Sequence, residues 1–458
     1  MDLLKALRLS CEPSTVPFVA PRIALVGAGG KTTAMFQIAR QLKPPVIVTA
    51  TTHLGHQQTA LADRWYVACT PSELPANSEI PAGVLLFTGP LDSTDRTLGV
   101  DLEILDQLFL MADRFHCPLL IEADGSRQLP LKAPADHEPA IPEFCDTVIV
   151  LAGLSALGKP LSSEWVHRSG RFSELTGLAG SEEITVEAIA NYFLHPQGGL
   201  KAIPPQARRI ALLNQADSPE LQAAAGSIAN KLLPHYDAVL VASLEGAVGQ
   251  SAAPSQAPID EVYAVYERSA GVILAAGAAR RYGQPKLLLP WKGEAIIRHV
   301  ARAALSAGLD PVVVVAGEHH KSILDSLVGM NVALVINPDW EKGQSSSLQV
   351  GLSALPSEIG SAVFLLGDQP QIPADLVQSL IERHAGSLLP IVAPLVGGQR
   401  ANPVLFDQVT FPKLMELSGD TGGRSLFSHY PVEWLEWHDT SVLFDVDTPE
   451  DYRRLSEV

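Results

Sequence analysis

The sequence predicts an α/β protein of two domains, each built around a mostly parallel sheet. Short apolar runs alternate with helical patterns along the chain, as they do in parallel sheets with crossover helices. The length of 458 residues exceeds that of one typical domain. Residues 246–268 are rich in Ala, Gly, Ser, Gln and Pro and lack periodicity, which is typical of a linker. We therefore predict domains at 1–245 and 269–458.

Apolar runs with the length and composition of buried strands occur on both sides of the linker. They are residues 22–27, 45–50, 83–89, 118–123, 147–153, 209–214 and 238–243 before it, and 271–276, 311–317, 332–337, 362–367 and 390–395 after it. Ligands of parallel sheets bind beyond the carboxyl ends of the strands. Polar clusters that directly follow these runs are therefore the candidate functional residues.

Composition and charge limit the function classes. Hydrophobic residues make up 47% of the chain, too many for a disordered protein, and the formal net charge is -17. That charge argues against nucleic acid or an acidic membrane surface as a partner. No apolar run is long enough to span a membrane, and MDLLKALRLSCEPS lacks a signal-peptide pattern. The scattered Cys11, Cys69, Cys117 and Cys145 form no CxxC pair, so we expect reduced thiols and a cytoplasmic protein.

The sequence GAGGKTT, residues 27–33, lies between the strand-like RIALVG and the helical KTTAMFQIARQL. Its spacing is not that of a full P-loop, because Leu25 occupies the position of the first glycine. It matches a shorter GxxGKTT loop that resembles the loop of the ATP-dependent Mur ligases. We predict a P-loop-like domain that binds ATP or GTP; the alternative is a simple strand–turn–helix. The candidate nucleotide-binding residues are Gly27, Gly29, Gly30, Lys31, Thr32 and Thr33.

Two further clusters follow predicted strands of the first domain. Glu122 and Asp124 end the run PLLIEAD and could face a nucleotide-bound Mg²⁺. In LLNQAD, Asn214 and Asp217 are spaced like the base-reading turn of GTPases, with Gln215 in place of the lysine. A turn this short also arises by chance, so that assignment stays open.

The ordered motifs GAGGKTT, TATTHLG, EADGS, PLKAPADHEP, VHR and LNQAD resemble those of the YqeC-type proteins. The resemblance covers residues 1–245. Those proteins are described as accessory proteins of selenium-dependent molybdenum hydroxylases. It therefore implies a domain that assists maturation of a molybdenum hydroxylase, which would be its client.

After the linker, GVILAAGAARRYGQPK presents a second loop of small residues. The backbone of Leu274, Ala275, Ala276 and Gly277 can approach a phosphate closely, and Arg281 and Lys286 add positive charge beside it. A glycine turn with solvated basic residues is the alternative.

Two acidic residues of the second domain also follow predicted strands. Asp368 follows AVFLLG, and Asp447 lies at a predicted strand end in SVLFDVD. Brought together, the two carboxylates could hold Mg²⁺. Asp447 could equally cap the helix that begins near Pro449.

The ordered motifs LAAGAARRYGQPK, LLGDQP, GQSSSLQVGL, GGQRANPVLF, SGDTGGRSL and DVDTPED resemble those of molybdenum-cofactor cytidylyltransferases, within the MobA-like nucleotidyltransferases. The resemblance covers residues 269–458 and implies a Rossmann-like fold. It implies that CMP is transferred from CTP to the terminal phosphate of molybdopterin, with release of pyrophosphate. Ala276, in LAAG rather than LAGG, favours cytidine over guanosine. Ala279 and Tyr282 depart from the family, which has Ser and Met there.

The resemblance also assigns roles to residues. Arg281, Lys286 and Asp368 would be catalytic, and Asp368 and Asp447 would hold Mg²⁺. Gly343, Ser345 and Ser346 would contact the nucleotide, or else simply form a capped helix start. Arg400 and Arg424 would contact the pterin phosphate, although each could be a plain surface arginine.

Two alternatives remain at this stage. The second domain could be a cofactor carrier or insertion chaperone with decayed catalysis, which Ala279 favours. It could also transfer another nucleotide, or use another phosphate acceptor.

Overall fold

The structure is a computed structural model that describes residues 1–9, 20–75, 80–244, 261–277 and 285–457. The chain divides into two compact units, Met1–Tyr266 and Glu267–Val458. Across those described ranges, none of the helices combines the length and apolar character needed to cross a bilayer.

The first unit is built on a nine-stranded sheet. Its strands are β1 (Arg22–Gly27), β2 (Val46–Ala50), β3 (Arg64–Val67), β4 (Val84–Thr88), β5 (Leu119–Glu122), β6 (Thr147–Gly153), β7 (Arg208–Asn214), β8 (Ala238–Ser243) and β9 (Glu261–Glu267). They are arranged in the order β9-β8-β7-β6-β1-β5-β2-β4-β3. The pairings from β8 through β3 are all parallel.

Helices cover this sheet and bury its central strands. They are α1 (Leu3–Ala6), α2 (Lys31–Gln41), α3 (Leu102–Arg114), α4 (Ser169–Thr176), α5 (Val186–Leu194) and α6 (Pro219–Leu232). Every residue of β1 and β6 is buried, which explains why RIALVG and TVIVLAG are apolar throughout rather than alternating. One hydrophobic cluster forms the core of this unit.

The second unit contains an eight-stranded sheet. Its strands are β10 (Ser269–Ala275), β11 (Val312–Ala316), β12 (Ala333–Ile336), β13 (Ser361–Leu366), β14 (Ile391–Val396), β15 (Gln399–Arg400), β16 (Val404–Asp407) and β17 (Val432–Glu436). They are arranged as β12-β11-β10-β13-β16-β14-β15, and β17 pairs in parallel with β14. Strand β16 is antiparallel to β13 and β14, so the sheet is mostly but not wholly parallel.

Helices also flank the second sheet. They are α7 (Ile296–Ser306), α8 (His320–Ser326), α9 (Gln344–Ser353), α10 (Ala374–Ser387), α11 (Phe411–Met415) and α12 (Pro449–Ser456). Separate hydrophobic clusters form the cores of the second unit.

The twelve apolar runs given above all form strands, with ends that differ from the predicted ones by at most two residues. The predicted linker is wrong at its end, because residues 261–267 form β9 at the edge of the first sheet. The Val and Tyr content of EVYAVYE is typical of a strand, but the small-residue segment before it obscured that signal. Residues 246–260 of the predicted linker lie outside the described ranges.

The predicted strand before Asp447 is also wrong. Residues Thr440–Leu443 form a 3₁₀ turn instead. Asp447 does not cap α12 either, because Thr448 occupies the N-cap position and exchanges hydrogen bonds with Asp451. Asp447 therefore lies one residue before the cap, in a loop.

Candidate functional site

Lys286 joins two of the predicted metal-binding carboxylates in the second unit. Its Nζ donates to Asp368 Oδ2 at 2.5 Å and to Asp447 Oδ1 at 2.8 Å. Asp368 follows β13 after Gly367, whereas Asp447 comes from the loop before α12. The structure thus brings together three predicted residues that are far apart in the sequence.

The electrostatics of this cluster favour a bound cation. Burial disfavours the ammonium charge, but Asp368 and Asp447 outweigh burial and raise the pKa of Lys286. Burial and the nearby Asp368 raise the pKa of Asp445, which accepts a hydrogen bond from Gln369 Nε2 at 2.5 Å. Among the described residues, two carboxylates contact the Lys286 ammonium group and a third, Asp445, lies close enough to interact with it electrostatically.

The oxygen donors of this cluster fit Mg²⁺. One cationic nitrogen already lies within hydrogen-bond distance of both Asp368 and Asp447, so the pair is arranged to hold a positive charge. The described ranges contain no group of three or more His, Cys, Asp or Glu side chains arranged to hold a metal by themselves. Mg²⁺ at phosphate-transfer sites needs only one or two carboxylates, with phosphate oxygens and water completing its shell.

The backbone beside the cluster is formed by the end of β10. The Leu274 carbonyl accepts a hydrogen bond from Gly367 N–H at 3.0 Å, which fixes the end of β10 beside the turn that carries Asp368. A small cavity extends from this end, lined in part by Ala275, Ala276, Gly277 and Lys286. Its other lining includes Glu318 and His319, which sequence reasoning did not assign to the site. Arg281 and Ala279 lie outside the described residues.

The predicted nucleotide-contacting segment at the start of α9 bonds within the protein. Gly343 has φ +107°, and a Cβ there would lie 2.5 Å from the Gly419 carbonyl, so the close approach requires glycine. Ser345 Oγ donates to the same carbonyl at 2.7 Å, and Ser346 Oγ donates to the Gly343 carbonyl at 2.8 Å. Both hydroxyls donate to carbonyls, and neither caps an N–H group at the start of α9. A contact of either serine with nucleotide stays a prediction. The motif SGDTGGR contacts the start of α9 through the Gly419 carbonyl. Only Arg424 of this motif was assigned a role from the sequence, and this contact was not predicted.

Arg400 and Arg424 were predicted to contact the pterin phosphate. Among the described residues, no hydrogen bond or ion pair joins either arginine to Lys286 or to its carboxylate partners. Arg400 is exposed in β15, and its guanidinium lies 5.6 Å from the centre of the Phe427 ring. Arg424 is exposed in the 3₁₀ helix Gly423–Ser428. Their contact with a pterin phosphate remains a prediction.

The glycine loop of the first unit brings Lys31 to two acidic residues. Lys31 Nζ donates to the Gly27 carbonyl at 2.7 Å and lies 3.2 Å from Asp124 Oδ1 and 3.6 Å from Glu122 Oε1. Burial disfavours its charge, but the two carboxylates outweigh burial and raise the pKa of Lys31. Thr32 Oγ1 donates to Glu122 Oε2 at 2.7 Å. Lys31, Thr32, Glu122 and Asp124 therefore lie together and bond to one another, and their contact with a nucleotide stays a prediction.

Several loop N–H groups already have protein acceptors. Gly27 N–H contacts both Asp124 oxygens, at 3.1 and 3.0 Å, and Gly29 N–H donates to the Leu129 carbonyl at 3.1 Å. Gly29 has φ +83°, and a Cβ added there would lie only 2.3 Å from the Gly153 nitrogen, so this position requires glycine. Because the first N–H groups of a helix have no intrahelical acceptor, an anion would bind at the start of α2, from Gly30 to Thr33, rather than along the loop.

The LLNQAD turn is hydrogen-bonded to the glycine loop that precedes α2. Asn214 is buried, and its Nδ2 donates to the Gly29 carbonyl at 2.7 Å while its Oδ1 accepts from Leu244 N–H at 2.9 Å. Asp217 accepts a short hydrogen bond from Ser243 Oγ. With both ends of the amide satisfied, Asn214 positions Gly29, and base reading by this turn has no support from the geometry.

Comparison with known proteins identifies both units. A model of the YqeC protein family matches residues 23–170, and a model of the MobA-like NTP transferase domain matches residues 271–434. The uncharacterized protein YqeC of Escherichia coli (strain K12) is 34% identical over 219 residues, which are 46% of this chain and 83% of that protein.

Two relatives match the second unit. The purine catabolism protein PucB of Bacillus subtilis (strain 168) is 36% identical over 195 residues, 40% of this chain and 93% of that protein. The molybdenum cofactor cytidylyltransferase of Escherichia coli (strain K12) is 25% identical over 186 residues, 40% of this chain and 92% of that protein. The chain therefore belongs to the YqeC family through its first unit and to the MobA-like NTP transferases through its second, and it is a fusion of the two.

Proposed function

We propose that the second unit transfers CMP from CTP to the terminal phosphate of molybdenum-bound molybdopterin. The carrying observation is the contact of Lys286 with Asp368 and Asp447, which provides a phosphate-binding cation beside two metal-binding carboxylates. The LAAG sequence at the end of β10 and the similarity to a molybdenum cofactor cytidylyltransferase support CTP and molybdopterin as substrates.

In this proposal the protein positions the reactants and neutralises charge. An oxygen of the acceptor phosphate forms a bond to the α-phosphorus, and pyrophosphate leaves with the electron pair of the broken P–O bond. Mg²⁺, held by Asp368 and Asp447, would screen the α-phosphate and the departing pyrophosphate. Lys286 then exchanges its two carboxylate partners for triphosphate oxygens, as its partly exposed ammonium group permits. Arg281 would add a second cation.

For the first unit we propose binding of ATP or GTP at the start of α2 and assistance in maturing a molybdenum hydroxylase. The support is the N-terminal turn of α2, where Gly30 provides no side-chain cap and Lys31 and Thr32 lie beside Glu122 and Asp124. A hydroxylase client would receive the cytosine dinucleotide cofactor that the second unit makes. The two halves of the chain would therefore serve one maturation process.

A second candidate function is nucleotidyl transfer with another NTP or another acceptor. The relative that is named for purine catabolism is more similar, at 36% identity, than the cytidylyltransferase at 25%. The Lys286 cluster would serve either reaction, because it contacts phosphates and metal rather than the base.

The test is pyrophosphate release by the full chain, given molybdenum-bound molybdopterin, Mg²⁺ and each NTP in turn. We expect CTP to be used in clear preference to GTP and ATP, and the product to be the cytosine dinucleotide cofactor. A preference for GTP, or turnover that does not depend on molybdopterin, would instead support the second candidate. Omission of Mg²⁺ is the matched control and should abolish turnover.

A further inference from the structure

A cavity of ≈ 460 Å³ lies in the first unit beyond the carboxyl ends of β2 and β5. The proposed nucleotide site at the start of α2 does not use it. Four motifs of the first domain, TATTHLG, EADGS, PLKAPADHEP and VHR, each contribute residues to its lining. Segments that are distant in the sequence thus line one cavity. None of the described lining residues belongs to the loop around Lys31, so nucleotide binding at that loop does not explain the cavity.

Guanidinium groups dominate the charge of this cavity. Arg96, Arg127 and Arg168 line it, and Glu138 supplies the one carboxylate among the lining residues that the structure describes. Arg168 donates to Glu138 through two nitrogens, at 2.8 and 3.3 Å. Among the described residues, no hydrogen bond or ion pair joins the guanidinium of Arg96 or Arg127 to a protein acceptor.

A network of ion pairs connects the Lys31 loop to the wall of the cavity. Lys132 Nζ, fully buried, lies 2.8 Å from Asp124 and 3.0 Å from Glu138 and so links the loop to the cavity wall. Equal numbers of acids and bases form this connected network: Lys31, Lys132, Arg168, Glu122, Asp124 and Glu138. Arg96 and Arg127 add two guanidinium groups that form no ion pair within the described ranges. The carboxylate of Asp92 is nearby, where it accepts from Arg96 N–H at 3.1 Å and lies 3.7 Å from His53.

Neutral donors complete the lining. The hydroxyls of Thr51 and Thr52 are buried and have no hydrogen-bond partner within the described ranges. A buried hydroxyl without a partner loses its hydrogen bonds to water, so a ligand oxygen that accepts from it is favoured. Burial, together with the nearby Arg168 and Arg127, lowers the pKa of His167 to about 4, so its imidazole is neutral near pH 7 and can donate one N–H.

We propose that this cavity binds a phosphate monoester, with Arg96 and Arg127 neutralising the dianion and Thr51 and Thr52 donating to its oxygens. Forked guanidinium contacts suit phosphate oxygens, and two of them match its charge. The volume falls within the range of about 300–1,000 Å³ that is typical of small-molecule sites. It greatly exceeds the space that one phosphate group needs, so the organic part of the ester also fits.

The test is calorimetric titration of the full chain with phenyl phosphate near neutral pH. We expect saturable binding to one site, and we expect the double variant Arg96→Gln/Arg127→Gln to weaken it by about tenfold or more, since two charge-assisted contacts are lost. Both side chains are exposed, so the double variant should fold, which circular dichroism can check. Arg64→Gln, an exposed arginine of the same unit outside the cavity, should weaken binding by less than about twofold.

Three results would overturn the proposal. Absence of phenyl phosphate binding would rule out the site. Equal binding by the wild-type chain and the double variant would place the phosphate elsewhere, including at the start of α2. Equal affinity for inorganic phosphate would show that the organic part makes no contact, and the assignment of an ester would then be wrong.

Discussion

Lys31 and Lys286 each follow a glycine-containing sequence that begins at the end of a strand, and each contacts two acidic side chains. They differ in exposure. The Lys31 side chain is 1% exposed, and its partners Glu122 and Asp124 are 7% and 3% exposed. The Lys286 side chain is 16% exposed, and its partners Asp368 and Asp447 are 21% and 50% exposed.

This difference in exposure gives the two lysine–carboxylate clusters different roles. Breaking a buried ion pair leaves an uncompensated charge in the interior and costs about 3–5 kcal/mol, whereas an exposed pair contributes about 0–1 kcal/mol. Lys31 is therefore bound firmly within the first unit. Lys286 can leave its carboxylates for a ligand phosphate at little cost. The following predictions test this contrast, beginning with the largest expected effect.

The largest expected effect is that of Asp368→Asn on transfer. Loss of a metal-binding carboxylate removes several kcal/mol of transition-state stabilisation, so pyrophosphate release should fall on the order of 1,000-fold. Asp375→Asn, an exposed aspartate in the first turn of α10, is the matched control and should retain activity within about twofold. Near-normal turnover of the Asp368 variant would exclude the metal-binding role.

The next effect concerns stability. Lys31→Met should lower the free energy of opening the first unit by about 3 kcal/mol, because Glu122 loses its buried cation and Asp124 keeps only Lys132. Lys286→Met should lower that of the second unit by a smaller amount, because its carboxylate partners are partly exposed to water. Amide hydrogen exchange in β1 and β10 measures each unit separately. Equal losses in the two variants would remove the contrast between the loops.

A smaller, pH-dependent effect is expected at Glu138. Burial opposes ionisation, but Arg168 and Lys132 hold its pKa at about 2, below the ordinary value of 4.5. The ionised carboxylate therefore adds stability that is fully present above pH 4.5 and is lost as the pH falls through about 2. The urea midpoint of Glu138→Gln should fall below that of the wild-type chain near pH 7, and this gap should narrow toward about pH 3. A difference in urea midpoint that does not change with pH would contradict the lowered pKa of Glu138.

Much of the fold could be predicted because its signals are local. Buried parallel strands are apolar at every position, so RIALVG and TVIVLAG were identified without tertiary information. The antiparallel β16, only four residues long, was not, since VLFD is too short to show periodicity. SVLFDVD has strand-like composition, yet residues 440–443 form a turn, which shows that tertiary context overrides propensity.

The members of the second site could be predicted, but their arrangement could not. Lys286, Asp368 and Asp447 were each identified from a motif, whereas their hydrogen bonds span 82 and 161 residues of sequence. In the first unit, the sequence predicted loop N–H groups facing phosphate. Asp124 instead accepts from Gly27 N–H, a contact across 97 residues that local spacing cannot indicate.

The most direct test compares pyrophosphate release from CTP by the full chain carrying Lys31→Met or Lys286→Met, with molybdenum-bound molybdopterin and Mg²⁺. The account predicts that Lys286→Met slows release on the order of 100-fold, since a preorganised charge at the phosphates is lost. It predicts that Lys31→Met leaves release within about twofold, because each unit has its own core and its own lysine. Loss of transfer in the Lys31 variant as large as that in the Lys286 variant would contradict the account, since the two loops would then form one composite site.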